Sequence, residues 1–235
     1  MIEQLWRQWR LSRMIAAIEP HLLNSTQIND YVAGIQRITQ LLNTRTIGNA
    51  DLLALDLELT GLNPATHAIV SLGYVSITQL AINLQSAHQQ IVKIDGSVGD
   101  SAVIHHLTDH DLKAAKTLEQ AMNELIVEMT GKVLVCHHAP LDIAFLKRAF
   151  IRCYGTPLPL LVIDTQFIER QTQQRTNPAI PLHRLRLHHC RENYNLPPVS
   201  GHQALADAIG CAELLLAQQA SKTNDTRLSD ITRLT

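Results

Sequence analysis

Aromatic residues are scarce in this chain: Phe, Trp and Tyr together make up 4% of its 235 residues. That is too few for a surface on which bases stack one after another, the device of general single-strand binders. An excess of either charge is also missing. Twenty Lys and Arg face 21 Asp and Glu, a formal net charge of -1, which argues against coating nucleic acid by bulk electrostatics. No apolar run approaches 18 residues, so no membrane-spanning helix is expected. The opening Met1-Ile-Glu-Gln-Leu-Trp-Arg7 lacks the unbroken apolar stretch of a signal peptide. Cys136, Cys153, Cys190 and Cys211 form no Cys-x-x-Cys pair, which suits a reducing cytoplasm. What the chain has is apolar residues, 46% of the total. They suffice for a sizeable core and exclude wholesale disorder.

Three regions separate by pattern. Residues 1–46 form a helical extension with two apolar series at helical spacing. Leu5, Trp9, Leu11, Met14, Ile15 and Ile18 make the first; Tyr31, Ile35, Ile38 and Leu42 make the second. Pro20 closes one, and Ser25 or Thr26 caps the other. Arg7, Arg10 and Arg13 suggest a membrane-surface or nucleic-acid helix, but the solvated polar face of a packing helix is the better reading. From Asp51 the period changes. Leu52 to Leu57 is nearly all apolar, as a central buried strand is. Two further strands are predicted up to residue 94, then a helix near 118–129, a buried strand ending at Cys136 and a helix near 141–154. A short strand near 160–163 and helices near 182–192 and 203–220 complete the series. Strands first, then alternation, indicate an α/β fold on a mixed sheet spanning residues 47–220. Residues 221–235 are polar and read as a frayed tail.

Three acidic elements carry chemistry. Asp56 and Glu58 stand two apart at a strand end, so both carboxylates project from one face. Burying such a pair is costly unless a cation or proton compensates. Asp142 falls near a helix N-terminus, where the macrodipole favours its charge, and a capping role explains it as well. Asp207 has no cap to make, because it lies inside an otherwise apolar helix of Ala204, Leu205, Ala206, Ala208 and Ile209. A functional role is the better reading there.

In order, Asp56-x-Glu58-x-Thr60-Gly61-Leu62, His137-x-Ala139-x-x-Asp142 and His202-x-Ala204-x-x-Asp207-Ala208 resemble the motifs of the DEDDh (DnaQ-like) 3′–5′ exonuclease family. That family includes the proofreading epsilon subunit of bacterial DNA polymerase III, oligoribonuclease and the ribonuclease T group. Asp164-Thr165 resembles a further recurrent element, and His105-His106-Leu107-Thr108 the usual His-Gly-Ile-Thr turn. Leu59, His138 and Leu141 depart from the family's commoner Thr or Ala, Asn and aromatic residue. They touch substrate contacts rather than the chemistry. The resemblance implies an RNase H-like fold, a mixed five-stranded sheet flanked by helices.

It also implies that Asp56, Glu58, Asp142, His202 and Asp207 are catalytic, with the four carboxylates holding two Mg²⁺ or Mn²⁺ ions. All-oxygen ligation suits those ions, and two-metal sites space them about 3.5–4 Å apart. Asp56 would bridge both ions, with Glu58 and Asp207 on the first and Asp142 acting across the cleft through water. His202, with an ordinary imidazole pKa of about 6.5, would be the general base. Nucleoside 5′-monophosphates would leave from the 3′ end. Leu59, Thr60 and Leu62 would line the terminal-nucleotide pocket. There the Leu59 and Thr60 N–H groups would bind the 3′-hydroxyl and Leu62 would wedge against a base, while His137 would contact a phosphate or sugar.

DNA 3′ ends are favoured over RNA because the turn Thr60-Gly-Leu-Asn-Pro64 looks like proofreading sequences. An exoribonuclease of the oligoribonuclease or ribonuclease T type is the alternative within the family. A nuclease-like docking subunit without turnover is the alternative outside it, against which the intact set of five residues speaks. Residues 1–46 either pack on the nuclease domain or dock a polymerase or other protein. Residues 51–220 carry twelve basic and sixteen acidic side chains. Two divalent cations would bring that region to formal neutrality. His188-His189-Cys190 and Cys136-His137-His138 lack zinc-site spacing, and His21, His67, His88 and His110 read as surface residues.

Overall fold

The computed structural model describes residues 2–22, 25–94, 115–175, 179–199, 203–220, 222 and 226–235. Asp51–Leu59 (β1), Ile69–Thr78 (β2) and Ala81–Ile91 (β3) form an antiparallel meander. Val133–Cys136 (β4) joins the other edge of β1 in parallel, and Leu161–Asp164 (β5) joins β4 in parallel. The mixed sheet expected from the strand pattern is therefore present. It has a sixth strand, Thr232–Leu234 (β6), antiparallel to β5, which completes the order β3-β2-β1-β4-β5-β6.

That strand corrects the reading of a frayed tail. Arg227 opens a short helix, Leu228–Ile231 (α8), and Leu228, Thr232 and Leu234 are buried. Only two of these are apolar, and edge pairing is made by backbone groups that any sequence supplies. Thr235 N–H donates to Leu160 O at 2.9 Å, and Leu160 N–H to Thr235 O at 3.2 Å.

The N-terminal extension folds as Ile2–Leu22 (α1) and Thr26–Leu41 (α2), the latter capped by the Ser25 hydroxyl on the Ile28 N–H. Both pack into the main core. Tyr31 is fully buried, and its hydroxyl donates to Pro159 O just before β5 at 2.7 Å. The extension also seals the C-terminal segment: Ser229 N–H donates to Leu42 O and Arg7 to Ser229 O. Along α1 the buried stripe is Leu11, Ile15 and Ile18. Leu5 and Trp9, expected on that stripe, face solvent together with Trp6.

Among the described residues, four longer helices follow: Leu118–Met129 (α3), Ala139–Tyr154 (α4), Thr165–Gln174 (α5) and Ala204–Ala220 (α7). A 3-10 turn at Leu182–Leu185 and the short Leu187–Glu192 (α6) replace the single helix expected there. α5 is too polar to announce itself by periodicity; its start is set by Asp164, whose carboxylate accepts from the Gln166 and Phe167 N–H groups.

Candidate active site

Strands β1, β4 and β5 are parallel, and their carboxyl ends open together, where open α/β sheets characteristically bind ligands. β1 delivers Asp56 and Glu58 to one face of the sheet, while Leu53, Leu55 and Leu57 are buried on the other. Across the antiparallel pair, Asp56 stands opposite Gly73. A Cβ at Gly73 would lie 2.1 Å from the Leu205 backbone nitrogen and 2.3 Å from the Ala204 carbonyl carbon. The missing side chain is what lets the first turn of α7 lie on the sheet. Asp207, in that turn, then joins the β1 carboxylates: oxygens of Asp56, Glu58 and Asp207 all lie within 4.8 Å of one another. Among the described residues this is the group placed to hold a metal ion.

Asp142 arrives from α4. The chain leaves β4, turns through His138 in the left-handed region (φ 67°), and enters the helix with Pro140 in its first turn. The carboxyl of Asp142 is buried, and burial pushes its pKa up to about 8, with Asp164 adding to the rise and backbone N–H groups of Asp142 and Leu57 opposing it. Asp56 is also held well above the usual carboxylate range, first by burial and then by Asp142, Asp207 and Glu58. Four carboxyl groups so placed repel one another unless protons or cations intervene. The donor set is all oxygen, which fits Mg²⁺ or Mn²⁺.

A hydrogen-bonded scaffold fixes these elements. The Asp164 carboxylate that caps α5 also accepts the His138 N–H at 3.1 Å, tying the start of α4 to the end of β5. His137 is clamped by both ring nitrogens, Nδ1 to the Thr165 hydroxyl at 2.9 Å and Nε2 to Leu185 O at 2.8 Å. A contact of this ring with phosphate or sugar would compete with these two hydrogen bonds. The imidazole is already spent on holding the Leu182–Leu185 turn against the sheet, and its burial lowers its pKa. The Thr60 N–H donates to Ala68 O at 3.0 Å and its hydroxyl accepts from Ala68 N–H at 2.9 Å, so this residue closes the β1–β2 loop, and binding of a 3′-hydroxyl by that N–H would compete with the closure. Leu59 ends β1 at a register irregularity. Leu62 is 77% exposed on the loop.

His202, Gly201 and the segment His105–Thr108 lie outside the described residues. Sequence reasoning missed Gly73, although an isolated glycine in an otherwise bulky strand is itself a sign of close backbone approach. It also missed the clamp on His137, which joins residues 28 and 48 positions apart. The cysteines are free thiols, with Cys136, Cys190 and Cys211 buried. His88 is half-buried with its ring 5.1 Å from that of Tyr74, and so is not simply a surface residue.

Comparison with known proteins agrees with this geometry. The family described as "Exonuclease" (RNase T) matches residues 53–215. A DNA polymerase III PolC-type protein of Thermotoga maritima is 25% identical over 200 residues, covering 84% of this chain and 14% of its own length. The DNA polymerase III subunit epsilon of Treponema pallidum is 28% identical over 162 residues, 68% of this chain and 73% of that one. The chain thus spans about one-seventh of the PolC-type relative and most of the epsilon subunit. Among solved structures, cell-death related nuclease 4 superposes with a TM-score of 0.61 at 16% identity, over 75% of this chain and 66% of that one. E. coli exonuclease I in complex with a dT13 oligonucleotide gives 0.58 at 12%, over 72% and 41%. These structures share the RNase H-like fold, which the six-stranded sheet and its flanking helices also form. With a family match across most of the chain and the acidic motifs folded into one cleft, the protein belongs to the exonuclease family of DnaQ-like 3′–5′ exonucleases.

Proposed function

We propose that the chain removes nucleotides from DNA 3′ ends as nucleoside 5′-monophosphates, using two Mg²⁺ or Mn²⁺ ions. The observation that carries this reading is the convergence of Asp56, Glu58 and Asp207 within 4.8 Å, with Asp142 buried beside them. The family is divalent-metal dependent, and such ions, when bound, supply a Lewis acid beside the scissile phosphate and lower the pKa of water. Asp56, Glu58, Asp142 and Asp207 would hold them. His202, one residue before Gln203 and five before Asp207, would accept the proton of the attacking water. Leu62 would pack on the terminal base from its exposed place on the loop, with Leu59 at the loop's start. DNA is favoured by the polymerase subunits among the relatives. Three-quarters of the chain also superposes on a 3′-exonuclease described for histone mRNA stem-loop recognition, which keeps RNA as the second substrate class. The expected setting is the cytoplasm; no described helix is long and apolar enough to cross a membrane.

Initial rates on matched single-stranded DNA and RNA, with Mg²⁺ and with Mn²⁺, test the substrate. Faster shortening of DNA is expected. An RNA rate about tenfold higher would reassign the enzyme to the exoribonucleases of its family. Shortening of neither substrate would leave the docking-subunit reading.

A further inference from the structure

The outward face of α1 is chemically distinct from the rest of the surface. Ile2, Leu5, Trp6 and Trp9 lie along it at helical spacing, each indole 55% exposed. These are the only two tryptophans in the chain. The same scarcity that excludes a stacking surface elsewhere leaves both indoles side by side here. The Arg10 guanidinium lies over the Trp6 ring at 5.5 Å and that of Arg13 over the Trp9 ring at 5.1 Å. Among the described residues no carboxylate pairs with either arginine. Burial lowers the pKa of Lys147 on α4, and the positive charge of Arg10 adds to the effect.

Arg148, the next residue, lines a groove of about 690 Å³ between α4 and the β1–β2 loop. Lys93 and Arg152 line it too, with Glu119 the one acidic side chain among the described residues that do so, and it reaches Thr60 beside the carboxylate site. Arg10 and Arg13 on α1 and Arg148 and Lys93 at the groove are thus cations on the same protein surface as the rim at Thr60. Such a face asks for a ligand that brings flat π-surfaces and regularly spaced negative charge together, and single-stranded nucleic acid does both.

We propose that α1, which lies outside the residues matched by the exonuclease family, is a second contact for the single-stranded substrate: bases stack on Trp6 and Trp9, and phosphates lie along Arg10, Arg13, Lys147 and Arg148. This inference rests on the exonuclease reading. Trp6 and Trp9 are not among the residues that gather at the carboxylates, so a strand must extend beyond the site to use this contact, which favours long substrates over short ones.

Because Trp6 and Trp9 are the only tryptophans, tryptophan fluorescence, excited at wavelengths that tyrosine does not absorb, reports on this face alone. A 20-residue oligothymidylate ending in a hydrolysis-resistant phosphorothioate should quench it, and a trinucleotide should not. In the Trp6→Ala/Trp9→Ala variant, the ratio of kcat/KM on the 20-mer to that on the trinucleotide should fall about tenfold. Arg10→Gln/Arg13→Gln should flatten the salt dependence of KM on the 20-mer. Absence of quenching by the 20-mer, equal quenching by the trinucleotide, or an unchanged ratio would overturn the proposal and leave this face to a protein partner. Quenching by the 20-mer without hydrolysis of any substrate would support the contact and remove the exonuclease reading instead.

Discussion

Asp142 concentrates the cost of the site in one side chain. A carboxyl whose folded pKa is raised to about 8 binds its proton more tightly in the native state than in the unfolded chain. Its contribution to stability is complete below the unfolded value and is lost as pH rises through about 8. Metal-free protein is therefore expected to melt at a lower temperature at pH 8.5 than at pH 6, and Mg²⁺ to restore more stability at the higher pH. Thermal melts with EDTA and with Mg²⁺ at both values check this. Asp142→Asn should remove much of the metal-free pH slope, at about 2–4 °C per kcal/mol for a chain of this size, while abolishing activity. Asp207→Ala should lower kcat by at least about 10³-fold with an unchanged far-ultraviolet dichroism spectrum. Retained activity would mean that the first turn of α7 is not part of the site.

At the scale of elements, the approach of α7 to the sheet decides whether the carboxylates meet. Gly73→Ala puts a methyl group where the Leu205 nitrogen now lies, so either α7 or β2 must move. A displacement of about 1 Å can cost 10²-fold in rate. The variant is expected to stay folded, bind Mn²⁺ more weakly in calorimetric titration and lose about 10²-fold in activity. The strand carrying Asp56 was legible in the sequence because a run of Leu and Ala leading into two acids has few other readings. The helix carrying Asp207 was legible because an acid amid alanines has no local excuse. α5 and β6 were not: one is polar and begun by a side-chain cap, the other a three-residue edge held by backbone pairing. The clamp on His137 was not legible either, because its two ring hydrogen bonds run to residues 28 and 48 positions away.

For the whole molecule, the extension and the C-terminal segment close on each other and on β5. Tyr31 is the central bolt, and burial holds its hydroxyl protonated well beyond the normal range. Tyr31→Phe leaves Pro159 O without its donor and should cost about 1–3 kcal/mol in chemical denaturation. Removal of residues 1–46 would uncover Ile47, Leu228 and Pro159 just before β5, and an insoluble product is expected. A soluble, fully active truncation would show that the extension serves only docking. The central claim concerns the cleft that all of this surrounds: four carboxylates, loaded with divalent cations, hydrolyse a strand from its 3′ end. The most direct test is single-stranded DNA labelled at its 5′ end, incubated with the full chain and Mg²⁺. The account predicts a ladder shortening one nucleotide at a time with release of 5′-mononucleotides, and complete arrest by EDTA. Immediate release of the 5′ label, or shortening that persists in EDTA, would contradict it.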